Sequence, residues 1–476
     1  MTAMSPDRQT SARLPGGTLE LLAIAFPMVV SHACETLMMF TDRLFLSRLG
    51  PEYMSAAMGG GLTCFMFTTF FMGLTGYANA LVAQHLGARQ PQRCAGIITQ
   101  TLLITIVAYP VILLCIPAGH ALFQITRIPE RQLHLQTDYF NLLMAGTILG
   151  LLRNCLSSFF SGIGRTRIVM LSAAIAMTVN IIANYLLIFG AMGFPALGMR
   201  GAAIGTLIGS FAGLLVLAIR YTGPTCRIAY GTTRNQHYDR TLMSQLLRLG
   251  TPSGIEFFLN MLAFDVLVLC FHSYGVAVAA AITITFNWDL VAFVPLLGIG
   301  IGVTSLVGRY MGARDPDRAH QVTRSGLKLA AIYTSFAFMT FCLFPEPLVR
   351  LFRPAGPAQG FDEVVPLAVF MIRWMSMYVF ADSIGIVFGG ALRGAGDTFW
   401  TMVISVAAHW VFALTALVMI RFLEVEPRTT WIVVVLLVVG LGATFWLRYR
   451  TGRWRSLRVV ETSPAPPLAE NREVQL

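Results

Sequence analysis

The sequence predicts an all-α polytopic membrane protein, with twelve transmembrane helices in two parallel six-helix lobes. Three observations predict it. Apolar runs of about 20 residues, enough to cross a bilayer at 1.5 Å rise per residue, recur along nearly the whole chain. The segment Leu81-Val-Ala-Gln-His-Leu-Gly-Ala-Arg-Gln-Pro91 returns 225 residues later as Leu306-Val-Gly-Arg-Tyr-Met-Gly-Ala-Arg-Asp-Pro316. Arginines flank the apolar runs and concentrate on alternate loops.

The repeat sets the domain plan. The same offset pairs Leu21 with Leu246, Pro27 with Pro252, Gly50 with Gly275, Gly73 with Gly298 and Arg93 with Arg318. A register held without a gap over roughly seventy residues marks a duplicated unit. A weaker echo aligns Gly162-Ile-Gly-Arg-Thr166 with Gly394-Ala-Gly-Asp-Thr398 at an offset of 232, so seven residues were gained or lost, in what should be an outer loop. In a membrane protein an internal repeat points to a site between the halves.

Composition agrees. Hydrophobic residues make up 56% of the chain and charged residues only 12%, against about 25% charged in an average soluble domain. Mean hydropathy is +0.68. The expected spans are 19–47, 55–82, 96–123, 137–160, 168–191 and 200–222, then 244–271, 277–307, 323–348, 365–392, 400–422 and 429–447. The first is too long for the apolar core of a secretory signal, has no cleavage site behind it, and is expected to be a retained helix. The units are thus a tail at 1–18, a first lobe at 19–222, a polar loop at 223–243, a second lobe at 244–447 and a tail at 448–476.

A formal charge of +11 could suggest nucleic acid, but its distribution argues against that partner. Arg89 and Arg93, Arg165 and Arg167, Arg227 to Arg240, Arg309 to Arg318 and Arg448 to Arg458 all border apolar runs. By the positive-inside rule these loops and both termini are cytoplasmic, which requires an even number of spans. Six spans per half is also even, so both halves share one orientation. The expected setting is a bacterial inner membrane, with the chain acting as a monomer.

The eight cysteines carry no site. Cys34, Cys64, Cys115, Cys155, Cys270 and Cys342 lie in apolar runs, where the thiol behaves as a small hydrophobe. Cys94 and Cys226 fall in expected cytoplasmic loops, where disulfides are disfavoured. No zinc spacing, nucleophile elbow or other catalytic motif appears, so neither a cofactor nor an enzyme is expected.

Chemistry is expected from acids inside the bilayer. A charge at the bilayer centre costs about 2.5 to 3.5 kcal/mol, so each acid needs a partner or a function. The first helix carries His32, Glu35, Met39 and Asp42 on one face. The seventh carries Glu256, Asn260 one turn on, and Asp265 on the opposite face. The eighth carries Asn287 and Asp289, and the tenth carries Tyr378 and Asp382 one turn apart. Arg153 and Arg373 are the intramembrane cations available for ion pairs. A carboxylate held at low dielectric can have its pKa raised by up to about 3 to 5 units, and can then exchange a proton for an arriving cation. Pro27 and Pro252 lie inside the first helix of each half, where proline removes a ladder hydrogen bond and permits a hinge.

Four segments together resemble the multidrug and toxic compound extrusion (MATE) transporters, over residues of about 19 to 447. They are Pro27 followed by Phe40-Thr-Asp-Arg-Leu-Phe-Leu-Ser-Arg-Leu-Gly50, the repeated Leu-Val-x-x-x-x-Gly-Ala-Arg block, Asn180-Ile-Ile-Ala-Asn-Tyr-Leu-Leu-Ile-Phe-Gly190 with Leu197-Gly-Met-Arg-Gly-Ala-Ala203, and Asp382 ahead of Leu392-Arg-Gly-Ala-Gly-Asp-Thr398. The resemblance implies a V-shaped, alternating-access exporter of cationic or amphiphilic small molecules, coupled to H+ or Na+. It implies cation coupling at Asp42, Asn180 and Asn184 in the first lobe, and at Glu256 and Asp382 in the second. Glu35, Met39, Asn260, Asp265, Asp289 and Tyr378 would line the substrate cavity, with Pro27 and Pro252 as hinges. Many members carry aspartate where this chain has Asn184, which leaves Asp42 as the matched acid there. The alternative reading is a lipid-linked oligosaccharide or peptidoglycan-precursor flippase of the same superfamily, which fourteen helices or a cationic groove would favour.

Overall fold

The computed structural model describes residues 16–125, 129–234, 237–353 and 361–460. Among them are twelve helices long and apolar enough to cross a membrane. They are α1 (Thr18–Ser47), α2 (Glu52–Gly87), α3 (Pro91–Leu113), α4 (Glu130–Gly162), α5 (Thr166–Phe189), α6 (Met199–Thr222), α7 (Arg240–His272), α8 (Val276–Gly312), α9 (Pro316–Leu343), α10 (Phe361–Ala395), α11 (Thr398–Arg421) and α12 (Pro427–Arg450). No strand occurs among the described residues. The twelve expected spans are all present, in order.

Helix ends shift by several residues, and four departures from the sequence reading stand out. The central polar loop contains a short helix, Pro224–Tyr230, started by proline at its first turn and stopped by Gly231 at φ 67°. Cys94, expected in a loop, is fully buried in the first turn of α3, because Pro91 starts that helix early. α8 runs five residues past its expected end, to Gly312. The second tail is not wholly soluble. α12 extends to Arg450, and beyond it Trp454 packs against Tyr449, 2% exposed, donating from its indole nitrogen to the Tyr449 carbonyl at 3.1 Å. Residues 1–15 and 461–476 of the expected tails lie outside the described residues.

Packing repeats with the sequence. α1 packs on α5 and α8, as α7 packs on α11 and α2; α2 packs on α4, as α8 packs on α10. The first turns of α1 and α7 are exchanged. Leu21, Ile24 and Ala25 of α1 are buried in a second-lobe core with Val303, Leu306 and Val322. Leu242 and Leu246 of α7 are buried in a first-lobe core with Val82, Ile97 and Phe159. Pro27 and Pro252 therefore sit where each helix passes from the opposite lobe into its own.

Glycine makes the seam between lobes possible. A Cβ on Gly87 would lie 1.8 Å from the Arg309 carbonyl oxygen, and one on Gly312 would lie 2.0 Å from that of Gln84. Gly73 meets Ser253 and Gly254, and Gly298 meets Val29, in the same reciprocal way. Polar contacts then close the end that carries the Arg-rich loops. The Gln84 amide donates to the Gly394 carbonyl at 2.7 Å, Ser305 to Ser161 at 2.7 Å, and Tyr77 to Arg393 at 3.2 Å. Nearer the opposite end, Phe65 and Phe257 touch edge to face at 5.9 Å. Toward that end Met39, Phe40, Met54 and Met58 are exposed on α1 and α2.

Candidate functional site

The first lobe places one acid in an amide cage. Asp42 is 7% exposed, while Asn180 and Asn184 are fully buried. The asparagines stand i, i+4 on α5, so both side chains face α1 and α6 together. The Asn184 amide donates to Asp42 Oδ1, and to Asn180 Oδ1 at 3.3 Å. Thr206 Oγ1 donates to Asp42 Oδ2 at 3.3 Å and receives the Asn180 amide at 3.4 Å. No arginine, lysine or histidine forms an ion pair with Asp42 among the described residues. The cage is thus uncharged apart from Asp42 itself. Asn184 Oδ1 is buried without a hydrogen-bond partner.

α6 can approach because it presents glycines. A Cβ on Gly209 would lie 2.7 Å from Asn180 Cβ, and one on Gly205 would lie 2.0 Å from Asn184 Oδ1. Gly205→Ala is therefore expected to push Asn184 off Asp42. Overpacking of this kind costs about 1 to 3 kcal/mol, measurable as a lowered thermal midpoint of the purified protein. Gly150, with nothing within 4 Å of a built Cβ, is the control for the same substitution. Thr206 was not singled out from sequence. Its only signal there is its place three residues after the Gly201-Ala-Ala203 segment.

The second lobe has a different arrangement. Tyr378, 5% exposed, neighbours Asp289, and Asp382 is the third polar side chain of this cluster. Asp289 reaches this cluster from α8, while Tyr378 and Asp382 stand one turn apart on α10. Aromatic rings surround it. Tyr378 lies 6.3 Å from Trp431, Trp431 lies 5.9 Å from Phe286, and Phe286 lies 4.9 Å from Phe264. The Trp431 indole is fixed by donating to the Met371 carbonyl at 3.0 Å. Neither aspartate has a cationic side chain as salt-bridge partner among the described residues.

The glutamates are placed otherwise. Glu35 is paired with Arg153 and lies 3.3 Å from His32 Nδ1. Glu256, 5% exposed, is paired with Arg393 at 2.9 Å. The second of these pairs belongs to the seam, since the Arg393 carbonyl accepts from Tyr77 across the lobes. Arg373, named above as a partner, is exposed and forms no ion pair among the described residues. Arg393 takes that role, because it follows Gly390, which lets α10 close on Gly300 of α8. Asn260 donates to Ser405 at 2.8 Å. Asp265 is partly exposed with no hydrogen bond or ion pair among the described residues. So Asp42, Asn180 and Asn184 come together, as do Asp289, Tyr378 and Asp382. Glu256, Asn260 and Asp265 join neither cluster.

Comparison with known families follows the same register. The MatE family model matches residues 27–186 and again 252–418, starting at Pro27 and at its repeat mate Pro252. The chain belongs to the MatE family. Among its relatives is a probable multidrug resistance protein NorM of Thermotoga maritima, 24% identical over 448 residues, covering 93% of this chain and 94% of the relative. The multidrug resistance protein PmpM of Pseudomonas aeruginosa is 27% identical over 451 residues, covering 91% of each. Solved structures show the same fold. A MATE family transporter described in an outward-facing conformation superposes with a TM-score of 0.84 at 19% identity, covering 93% of this chain and 96% of its own. A MOP superfamily transporter from Pyrococcus furiosus gives 0.84 at 20% identity, covering 92% and 96%. This MatE protein is thus a multi-pass, two-lobed transporter of twelve spans, as the resemblance implied.

Proposed function

We propose that this MatE protein exports cationic or amphiphilic small molecules by alternating access, in exchange for H+ or Na+. The observation that carries this reading is the way the acids of its membrane spans are paired. Among the described residues Glu35 and Glu256 form ion pairs with arginine, while Asp42, Asp289 and Asp382 form none. An acid with a fixed guanidinium is neutralised permanently. An acid without one is stable at low dielectric only when a proton or another cation accompanies it. Competition between coupling ion and substrate for such an acid is what antiport requires. The multidrug-resistance names of its relatives agree.

The proposed coupling residues are Asp42 with Asn180, Asn184 and Thr206, and Asp382 with Asp289 and Tyr378. Glu256, paired at the seam, is assigned to gating. Glu35 and Met39 flank the cleft. Pro27 and Pro252, at the crossing points of exchanged helices, are the hinges. Lobes at 19–222 and 244–447, cytoplasmic termini and an inner-membrane location complete the reading. We read the closed seam, with the Arg-rich end taken as cytoplasmic, as an outward-open state. The membrane potential then supplies about 2.3 kcal/mol per charge per 100 mV.

The test uses purified protein in lipid vesicles with a fluorescent cation such as ethidium, imposing the pH gradient and the sodium gradient separately. One gradient is expected to drive dye movement at least tenfold above protein-free vesicles. Dye movement that ignores both gradients would overturn the reading.

A further inference from the structure

The second lobe carries a groove between α9, α10 and α12, about 680 Å³ in volume, whose walls do not include Asp382. Beside it α9, one of the membrane-spanning helices, exposes an apolar stripe of Ile332, Phe336 and Met339. Small residues make the groove deep. Ala331 and Ala381 stand on two sides, and a Cβ on Gly442 would lie 2.7 Å from the Ala381 carbonyl, so α10 and α12 meet backbone to backbone at the floor. Ser383 is its one hydroxyl-bearing wall residue, and that hydroxyl is committed to the Phe380 carbonyl at 2.7 Å.

One end of the groove lies at headgroup depth. α9 is uncharged from Leu329 to Leu343 and basic below, at Arg324 and Lys328. α12 is uncharged from Thr429 to Leu447 and basic from Arg448. Both helices therefore leave the hydrocarbon at the same end of the groove. Arg324 lies one turn below Leu327 on its face, and Arg450 lies one turn below Trp446 on its face; Leu327 and Trp446 are both walls of the groove. The Arg450 guanidinium lies 5.1 Å from the centroid of the Trp446 ring, at the groove mouth. Arg324, Lys328 and Arg450 are exposed and have no carboxylate partner among the described residues.

We propose that this groove is a binding site for one anionic phospholipid of the adjoining leaflet. An acyl chain fills the apolar slot, and the phosphate and its anionic headgroup meet Arg324, Lys328 and Arg450. An apolar slot alone would accept any lipid. Three unpaired cations at its mouth select a net negative one. The site is independent of the transport reading, because it uses none of the coupling residues.

The test is native mass spectrometry of the full-length protein in detergent, titrated with phosphatidylglycerol and phosphatidylcholine carrying identical chains. One phosphatidylglycerol is expected to be retained at least tenfold more strongly than phosphatidylcholine. Arg324→Gln combined with Arg450→Gln should remove that preference, whereas Arg227→Gln, on the short helix of the central loop, should keep it. Ala443→Trp, which fills the slot, should weaken retention of both lipids. Equal retention of the two lipids by the unaltered protein would overturn the proposal, as would a preference that survives the double charge variant. Should Ala443→Trp not be recovered folded, the exposed charge positions decide alone.

Discussion

Asp42→Asn is expected to lower gradient-driven dye transport at least tenfold while leaving the protein folded. The substitution keeps the shape of the side chain and removes its titration. It also sets a second amide donor against the Asn184 amide, which now points at Asp42 Oδ1, and against Thr206. A lost hydrogen bond of this kind costs about 1 to 3 kcal/mol, too little to unfold a well-packed lobe. The decisive measurement is equilibrium dye binding in detergent at several pH values and sodium concentrations. The unaltered protein should release dye as protons or sodium are added. In Asp42→Asn that release should be absent. Asp382→Asn is expected to lower transport in the same way, since it removes the second acid proposed to couple. Full transport by both variants would remove the carboxylate mechanism.

The fold was legible because the bilayer makes it so. Backbone groups in hydrocarbon must be satisfied within the helix, so length and hydropathy alone locate spans such as Thr166–Phe189 and Thr398–Arg421. The exchange of the first turns of α1 and α7 was not legible. Leu21 and Leu246 are aligned by the repeat, yet nothing in a hydrophobic residue says which lobe buries it. The candidate sites were legible in part. Tyr378 and Asp382 stand one turn apart, and Asn180 and Asn184 likewise, so local spacing reports them. Asp289 joins Tyr378 from another helix, and Thr206 joins Asp42 across 164 residues. Pairing was harder still. Arg153 and Arg393 each take a glutamate more than a hundred residues away, and sequence spacing carries no information on reach between helices.

Gly87→Val is expected to hold the lobes apart at the Arg-rich end and abolish transport. Its Cβ would fall 1.8 Å from the Arg309 carbonyl oxygen, a backbone atom that no side-chain rotation can move. Relief requires the lobes to separate by more than an ångström at the seam. That separation also strains the hydrogen bonds from Gln84 to Gly394 and from Ser305 to Ser161. On the proposed alternating-access reading the closed end is then lost, and the equilibrium should shift toward the opposite state. In a cysteine-free background, Met39→Cys sits on an exposed turn of α1 beside the cleft. Its labelling by an impermeant maleimide from outside should slow at least tenfold when Gly87→Val is added. Gly312→Val should do the same from the other lobe, because its Cβ would meet the Gln84 carbonyl at 2.0 Å. Gly440→Val, with nothing within 4 Å, should leave labelling unchanged. The reciprocity makes the prediction sharper than a loss of function. Gln84 and Arg309 are repeat mates, so both substitutions wedge one and the same contact. Once either has opened the seam, the other finds the space already made, and the double variant should label no more slowly than either single one.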